Sequence, residues 1–175
     1  MAATLALLVK DQSGVLARIA NAFSRRGYNI ASIAAGTTQD PDITRITVCL
    51  EVDEEQVPLI IRQLYKQMDV LMVRELPEAE SFARELMLIK VKADAEVRSQ
   101  IVTIVDIFRG GIVDVSAETV TVQITGDSGK LEALVGMLAP YGIMELVRTG
   151  VVAISRGPQM LDVTEVYADD ETAGS

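Results

Sequence analysis

Histidine is absent from the 175 residues, and cysteine occurs once, at Cys49. With no imidazole and a single thiol, the common zinc sets and the Ser-His and Cys-His catalytic arrangements cannot be assembled, and no disulfide can close within the chain. Cys49 lies inside the apolar run Ile43 to Leu50, where a lone thiol packs as a small hydrophobe. Basic residues are in deficit, with 16 Lys and Arg against 25 Asp and Glu for a formal charge of -9. That balance argues against nucleic acid or an anionic membrane as the main partner, because both demand neutralised phosphates. No apolar run reaches the length of a bilayer span, and Met1-Ala2-Ala3-Thr4 lacks the basic flank of a secretory signal. The expectation is a cytoplasmic protein with its thiol reduced.

What the chain does have is apolar material, 49% of its residues, enough for one core or two small ones. Thr4 to Lys10 alternates as a buried strand. Asp11-Gln12-Ser13-Gly14-Val15-Leu16 then turns into a helix capped by Asp11 or Ser13, with Val15, Leu16, Ile19, Ala20 and Phe23 on one face and Arg18, Arg25 and Arg26 on a solvated one. Strands follow at Tyr28 to Gly36 and Ile43 to Val52, joined by the polar turn Thr37 to Asp42. A second helix carries Val57, Ile60, Ile61, Leu64 and Met68 inward. Asp53 and Gln56 resemble a capping box, yet Pro58 would then fall past the first turn, so the helix is expected to begin nearer Glu54 or Glu55. Val70 to Leu76 closes the unit.

After the proline-marked connector 77–83 the order begins again. Leu86 to Lys92 is a strand, and Val97, Ile101, Ile104, Val105 and Phe108 form a helical stripe ending on Gly110-Gly111, where a left-handed glycine is expected. Ile112 to Val115 and Thr119 to Thr125 pair, and Asp127 or Ser128 caps a helix with Leu131, Leu134, Val135 and Leu138 inward. Ile143 to Val147 and Val151 to Ile154 supply the last strands. The predicted class is α+β, two tandem ferredoxin-like βαββαβ domains with antiparallel sheets and helices on one face. The predicted divisions are 1–76, a linker 77–83, 84–157, and a solvated acidic tail 158–175, in which Leu161, Val163 and Tyr167 are the candidates for docking on a partner. A sheet covered on one face only needs further burial, which pairing with a second copy would provide.

The strand-to-helix turn is the candidate site. Unpaired N–H groups at a positive helix end accept a carboxylate, and Asn29, after the turn at Gly27, offers a side-chain oxygen to an ammonium. Gly126-Asp127-Ser128-Gly129-Lys130 imitates a phosphate loop but has Ile124 where the first glycine belongs and Leu131 where a hydroxyl would hold magnesium. No pair of carboxylates is marked for acid and base work. Catalytic and metal-ligating residues are accordingly expected to be absent.

Several segments together carry a resemblance: Asp11 to Leu16; Phe23-Ser24-Arg25-Arg26-Gly27-Tyr28-Asn29-Ile30-Ala31-Ser32; Phe108-Arg109-Gly110; Ser128-Gly129-Lys130-Leu131; and Arg148-Thr149-Gly150-Val151-Val152-Ala153-Ile154-Ser155-Arg156-Gly157. From about Leu5 to Gly157 the chain resembles the small regulatory subunits of acetolactate synthase, also called acetohydroxyacid synthase, and its first half resembles an ACT domain. The resemblance implies a non-catalytic subunit that activates a large catalytic subunit and makes it sensitive to valine, or to leucine or isoleucine, in branched-chain amino acid synthesis. It implies thiamine diphosphate, magnesium and FAD in that partner, no cofactor on this chain, and a homodimer through the ACT domains. Carried over by position, the effector site is Asp11, Gln12, Ser13, Gly14, Val15 and Leu16, with Asn29 and Ile30 from the second chain. Many members have Asn where Asp11 stands, which bears on effector choice. The alternative is a free-standing amino-acid sensor acting on another partner.

Overall fold

The computed structural model describes residues 2–163. It divides into two compact units, one taking in the chain up to Ala83 together with the stretch from Val151, the other Arg84–Gly150. The first contains β1 (Ala2–Lys10), α1 (Val15–Ser24), β2 (Asn29–Thr37), β3 (Ile43–Glu51), α2 (Val57–Leu64) and β4 (Val70–Glu75). Then come β5 (Ser81–Lys92), α3 (Arg98–Ile107), β6 (Gly111–Val115), β7 (Thr119–Gly126), α4 (Ser128–Leu138), β8 (Ile143–Arg148) and β9 (Val152–Ser155). The sheets are antiparallel, in the orders β2-β3-β1-β4 and β6-β7-β5-β8, so each repeats the ferredoxin-like βαββαβ path. Even the irregularities recur. Register shifts fall at Leu8/Val9 and Lys90/Val91, and again at Ile30/Ser32 and Ile112/Asp114, each pair 82 residues apart.

The central strand β1 is buried on both faces. Leu5, Leu7 and Val9 meet Ile19, Phe23, Ile60 and Leu64 from the helices, while Ala6 and Leu8 belong to a separate cluster on the opposite face. That second cluster is completed by Met72, Leu76, Ala153 and Leu161, the last only 8% exposed. Val151 N–H donates to Ser32 Oγ at 3.3 Å, Arg45 Nη2 to the Ala153 carbonyl at 2.6 Å, and Arg74 Nη1 to the Met160 carbonyl at 2.9 Å. The segment 151–163, read from the sequence as partly second domain and partly solvated tail, thus packs with the first unit. Covering the apolar face is the reason, since burying one leucine is worth about 2 kcal/mol. The connector 77–83 is likewise structured: Glu78–Glu80 form a 3-10 turn and Ser81 opens β5, buried. Residues 164–175, with Tyr167, lie outside the described residues.

Pro58 is accommodated by a 3-10 turn, Glu54–Gln56, that carries the capping box, with Asp53 N–H donating to Gln56 Oε1 at 3.3 Å. The α-helix itself starts at Val57, so the proline falls in its first turn. Met68, expected on the inner face, lies beyond the helix end and is 91% exposed. Cys49 is buried, its Sγ 3.6 Å from Thr4 Oγ1. Asp127 caps α4, accepting Lys130 N–H at 2.8 Å.

The end of α3 departs from expectation. The left-handed residue is Arg109, at φ 55, not a glycine. Arg109 N–H bonds the Asp106 carbonyl at 2.9 Å and Gly110 N–H the Val105 carbonyl at 2.9 Å, which together make a Schellman close. Gly110 is required for another reason: a Cβ there would stand 3.1 Å from Val105 Cγ1 and 3.2 Å from the Gln123 carbonyl. Arg109→Gly is therefore expected to raise stability by about 1 kcal/mol, seen as a higher urea midpoint at unchanged slope.

Candidate functional site

The turn between β1 and α1 is held at its base by backbone. Asp11 N–H donates to the Asp42 carbonyl at 2.8 Å, Lys10 N–H to the Asp69 carbonyl at 2.9 Å, and Gln12 N–H to the Lys10 carbonyl at 2.9 Å. Its tip is Gly14, left-handed at φ 83, which is the N-cap of α1 and gives it no side-chain cap. Neither Asp11 nor Ser13 caps the helix, contrary to the sequence reading. Val15 N–H reaches the Gln12 carbonyl at 3.3 Å and Arg18 N–H the Gly14 carbonyl at 3.0 Å. The first turn therefore presents the N–H groups of Leu16 and Ala17 at the positive end of the helix. Val15 is buried in the core, whereas Leu16, expected to be internal, is 46% exposed beside that opening.

The sequence pattern puts Arg18 on a solvated stripe. Its guanidinium instead lies over the turn, Nη1 standing 3.2 Å from where a Cβ on Gly14 would be, while Nε pairs with Asp69 Oδ2 at 2.7 Å. The signal that would have found it is helix geometry: a residue four places after the N-cap stands over it. The site thus combines a helix start, a side-chain-free glycine and a positioned cation, a set suited to a carboxylate.

The second unit provides an internal contrast. The 82-residue offset places Glu96 opposite Gly14 and Gly111 opposite Asn29. There the turn is filled by its own side chains: Asp94 Oδ1 accepts the N–H groups of Glu96 at 2.9 Å and Val97 at 3.2 Å. Arg98 Nη2 reaches the carbonyls of Ala93, Ser116 and Ala117 at 3.1, 2.8 and 2.7 Å. One copy of the turn is closed; the other is open.

Asn29 is not near Gly14 within one chain. It opens β2 in register with Glu51, whereas Lys10, before the turn, is in register with Ile43 at the other end of β3. Eight residues of strand separate the two ends, about 26 Å at the usual rise. Asn29 Nδ2 donates to Glu51 Oε2, which engages the amide nitrogen and turns the side-chain oxygen away from Glu51. Ile30 beside it is half-buried against the core. β2 is an edge strand of nine residues with neither charge nor proline, interrupted only by the bulge at Ile30/Ser32.

Among the described residues, no group of three or more His, Cys, Asp and Glu is placed to hold a metal ion, and no helix is long and apolar enough to cross a membrane.

Comparison with known proteins identifies both units. Residues 5–72 match the model of the acetohydroxyacid synthase small-subunit-like ACT domain, and residues 84–157 the model of the small subunit of acetolactate synthase. The chain is 48% identical over 156 residues to the acetolactate synthase small subunit of Mycolicibacterium smegmatis, covering 89% of this chain and 92% of that one. It is 46% identical over 154 residues to a probable acetolactate synthase small subunit of Archaeoglobus fulgidus, covering 88% and 96%. The crystal structure of the acetolactate synthase small subunit from Thermotoga maritima superposes with a TM-score of 0.86 at 35% identity, over 91% of this chain and 99% of that one.

Proposed function

This chain belongs to the family of acetolactate synthase small subunits, and from that premise we propose that it activates a large catalytic subunit and subjects it to feedback by valine. The chemistry, with thiamine diphosphate, magnesium and FAD, resides in the large subunit, and the assembly works in the cytoplasm. The observation that supports the effector role is the open turn at Gly14, set against its closed counterpart at Glu96. The amino acid's carboxylate meets the N–H groups of Leu16 and Ala17, with Arg18 adjacent and Asp11, Gln12 and Ser13 forming the rim. Leu16, exposed beside the opening, takes its aliphatic side chain, while Val15 backs it from the core.

The ammonium requires an acceptor, and Asn29 supplies it from a second copy. Antiparallel pairing of β2 with its equivalent about the midpoint Ile33 sets the second copy's Asn29 opposite Thr37, at the end of the sheet where the Gly14 turn lies. Ile30 of that copy completes the aliphatic wall. Effector binding then favours one arrangement of two ACT domains, and control follows from its differential affinity for the two arrangements.

Mixing the chain with the large subunit and following acetolactate formation tests this. A rise in rate is expected on addition of the chain, then a fall with valine, each within the roughly 5- to 150-fold span of ordinary allosteric coupling. Pyruvate with the small chain alone is expected to give no acetolactate. Valine binding without any effect on the large subunit would instead favour the free-standing sensor.

A further inference from the structure

A groove of about 380 Å³ opens on the helix-free face of the first sheet, at the same end of that sheet as the turn 11–16 but lined by none of residues 11–16, 29 and 30. Its floor is apolar, made by Leu8, Ile43, Leu161 and Val163. Thr37 to Asp40 form one wall, and Arg45 stands in it. The loop is braced from within: Thr38 Oγ1 donates to the Asp40 carbonyl at 2.9 Å and Asp42 N–H to Asp40 Oδ1 at 2.9 Å. The wall is therefore preformed.

Arg45 is the unusual member. Burial, and secondarily the positive charge of Arg74, hold its guanidinium below the ordinary arginine range. Its hydrogen bond goes to a neutral acceptor, the Ala153 carbonyl at 2.6 Å. A guanidinium offers five N–H donors, and a half-buried cation is matched better by an anion than by a lone carbonyl. Asp40 and Asp162 also line the groove, which sets a polyanion at a disadvantage. An apolar lining, one cation and two carboxylates define a narrow chemistry.

We propose that this groove binds a small aliphatic monocarboxylate, its carboxylate on Arg45 and its hydrocarbon on Leu8, Ile43, Leu161 and Val163. A ligand that also carries an α-ammonium gains from Asp40; one without it relies on Arg45 alone. The groove shares no lining residue with the effector turn, so variants at Arg45 and at Gly14 test the two readings separately.

The test is a methyl-resolved NMR titration of the full chain with isovalerate, then with L-valine. Saturable shifts are expected at the methyls of Leu8, Ile43, Leu161 and Val163, with dissociation constants of about a millimolar for ligands this small. L-Valine is expected to bind the groove more tightly than isovalerate. Arg45→Gln should abolish these shifts and Arg45→Lys weaken binding about tenfold, since lysine cannot offer the planar fork. If Arg45→Gln lowers the melting point, Arg45→Lys, which keeps the charge, decides. Leu16 and Ile30 methyls report the effector turn separately. No saturable shift at the four groove methyls, or equal affinity in wild type and Arg45→Lys, would overturn the proposal. So would shifts that appear only after removal of the residues beyond Val163, which would assign the groove to the chain's own acidic tail.

Discussion

Gly14→Val is expected to raise the valine concentration for half-inhibition by about ten- to a hundredfold while leaving activation of the large subunit within about twofold. Two physical effects combine at this position. A β-branched residue at φ 83 is strained by about 1–2 kcal/mol, because its Cβ crowds the following carbonyl oxygen. The new Cβ also stands 3.2 Å from Arg18 Nη1, so the guanidinium must move and loosen its pair with Asp69. Either change disturbs the place where the carboxylate would meet the N–H groups of Leu16 and Ala17. Charge-assisted hydrogen bonds are each worth about 1.5–3 kcal/mol, which sets the scale of the lost sensitivity. The strain itself is small against the roughly 5–15 kcal/mol that holds a domain together, so the fold should survive. Steady-state acetolactate assays on the reconstituted pair, with and without valine, make the measurement. Parallel loss of activation and inhibition would mean a misfolded domain or a misplaced site. Glu96→Val, at the equivalent turn of the second unit, serves as the control and should leave valine sensitivity unchanged.

The order of elements was legible in the sequence because it follows from periodicity, turn residues and caps, all of which act over a few residues. What was not legible depends on distant partners. Leu161 has no apolar periodicity around it and sits among acidic residues, so only the uncovered face bearing Ala6, Leu8 and Met72 explains its burial. Arg109 adopts the left-handed conformation because Gly110 alone fits between Val105 and Gln123, a contact across some thirteen residues of chain. Met68 continued the stripe of α2 in sequence, yet the helix had already ended. At the candidate site the glycine was readable and the cation was not. The contrast with the closed second turn was hidden as well, since the two turns share hardly any residue and only the matching bulges align them.

The largest expected effect on assembly lies at β2. Ala31→Lys with Ala35→Lys is expected to weaken self-association more than about a hundredfold and, with it, to remove valine binding. The reason is the symmetry of the proposed pairing about Ile33: each Ala31 would face the second copy's Ala35, so the double variant sets two lysines against two lysines in one interface. Like charges directly opposite across strands are destabilising, and edge lysines are what soluble sheets use to prevent such pairing. Both alanines are exposed in the isolated chain, so the domain itself has no packing reason to unfold. Sedimentation equilibrium would then give a monomer, and calorimetry no heat with valine, because in the proposed site Asn29 reaches the Gly14 turn only from a second copy. The compensating variant decides between this register and any other. Ala31→Glu with Ala35→Lys sets two opposite-charge pairs across the same strands and should restore both association and valine binding. A different register would leave those charges unmatched, and the compensating variant would then be as monomeric as the double lysine.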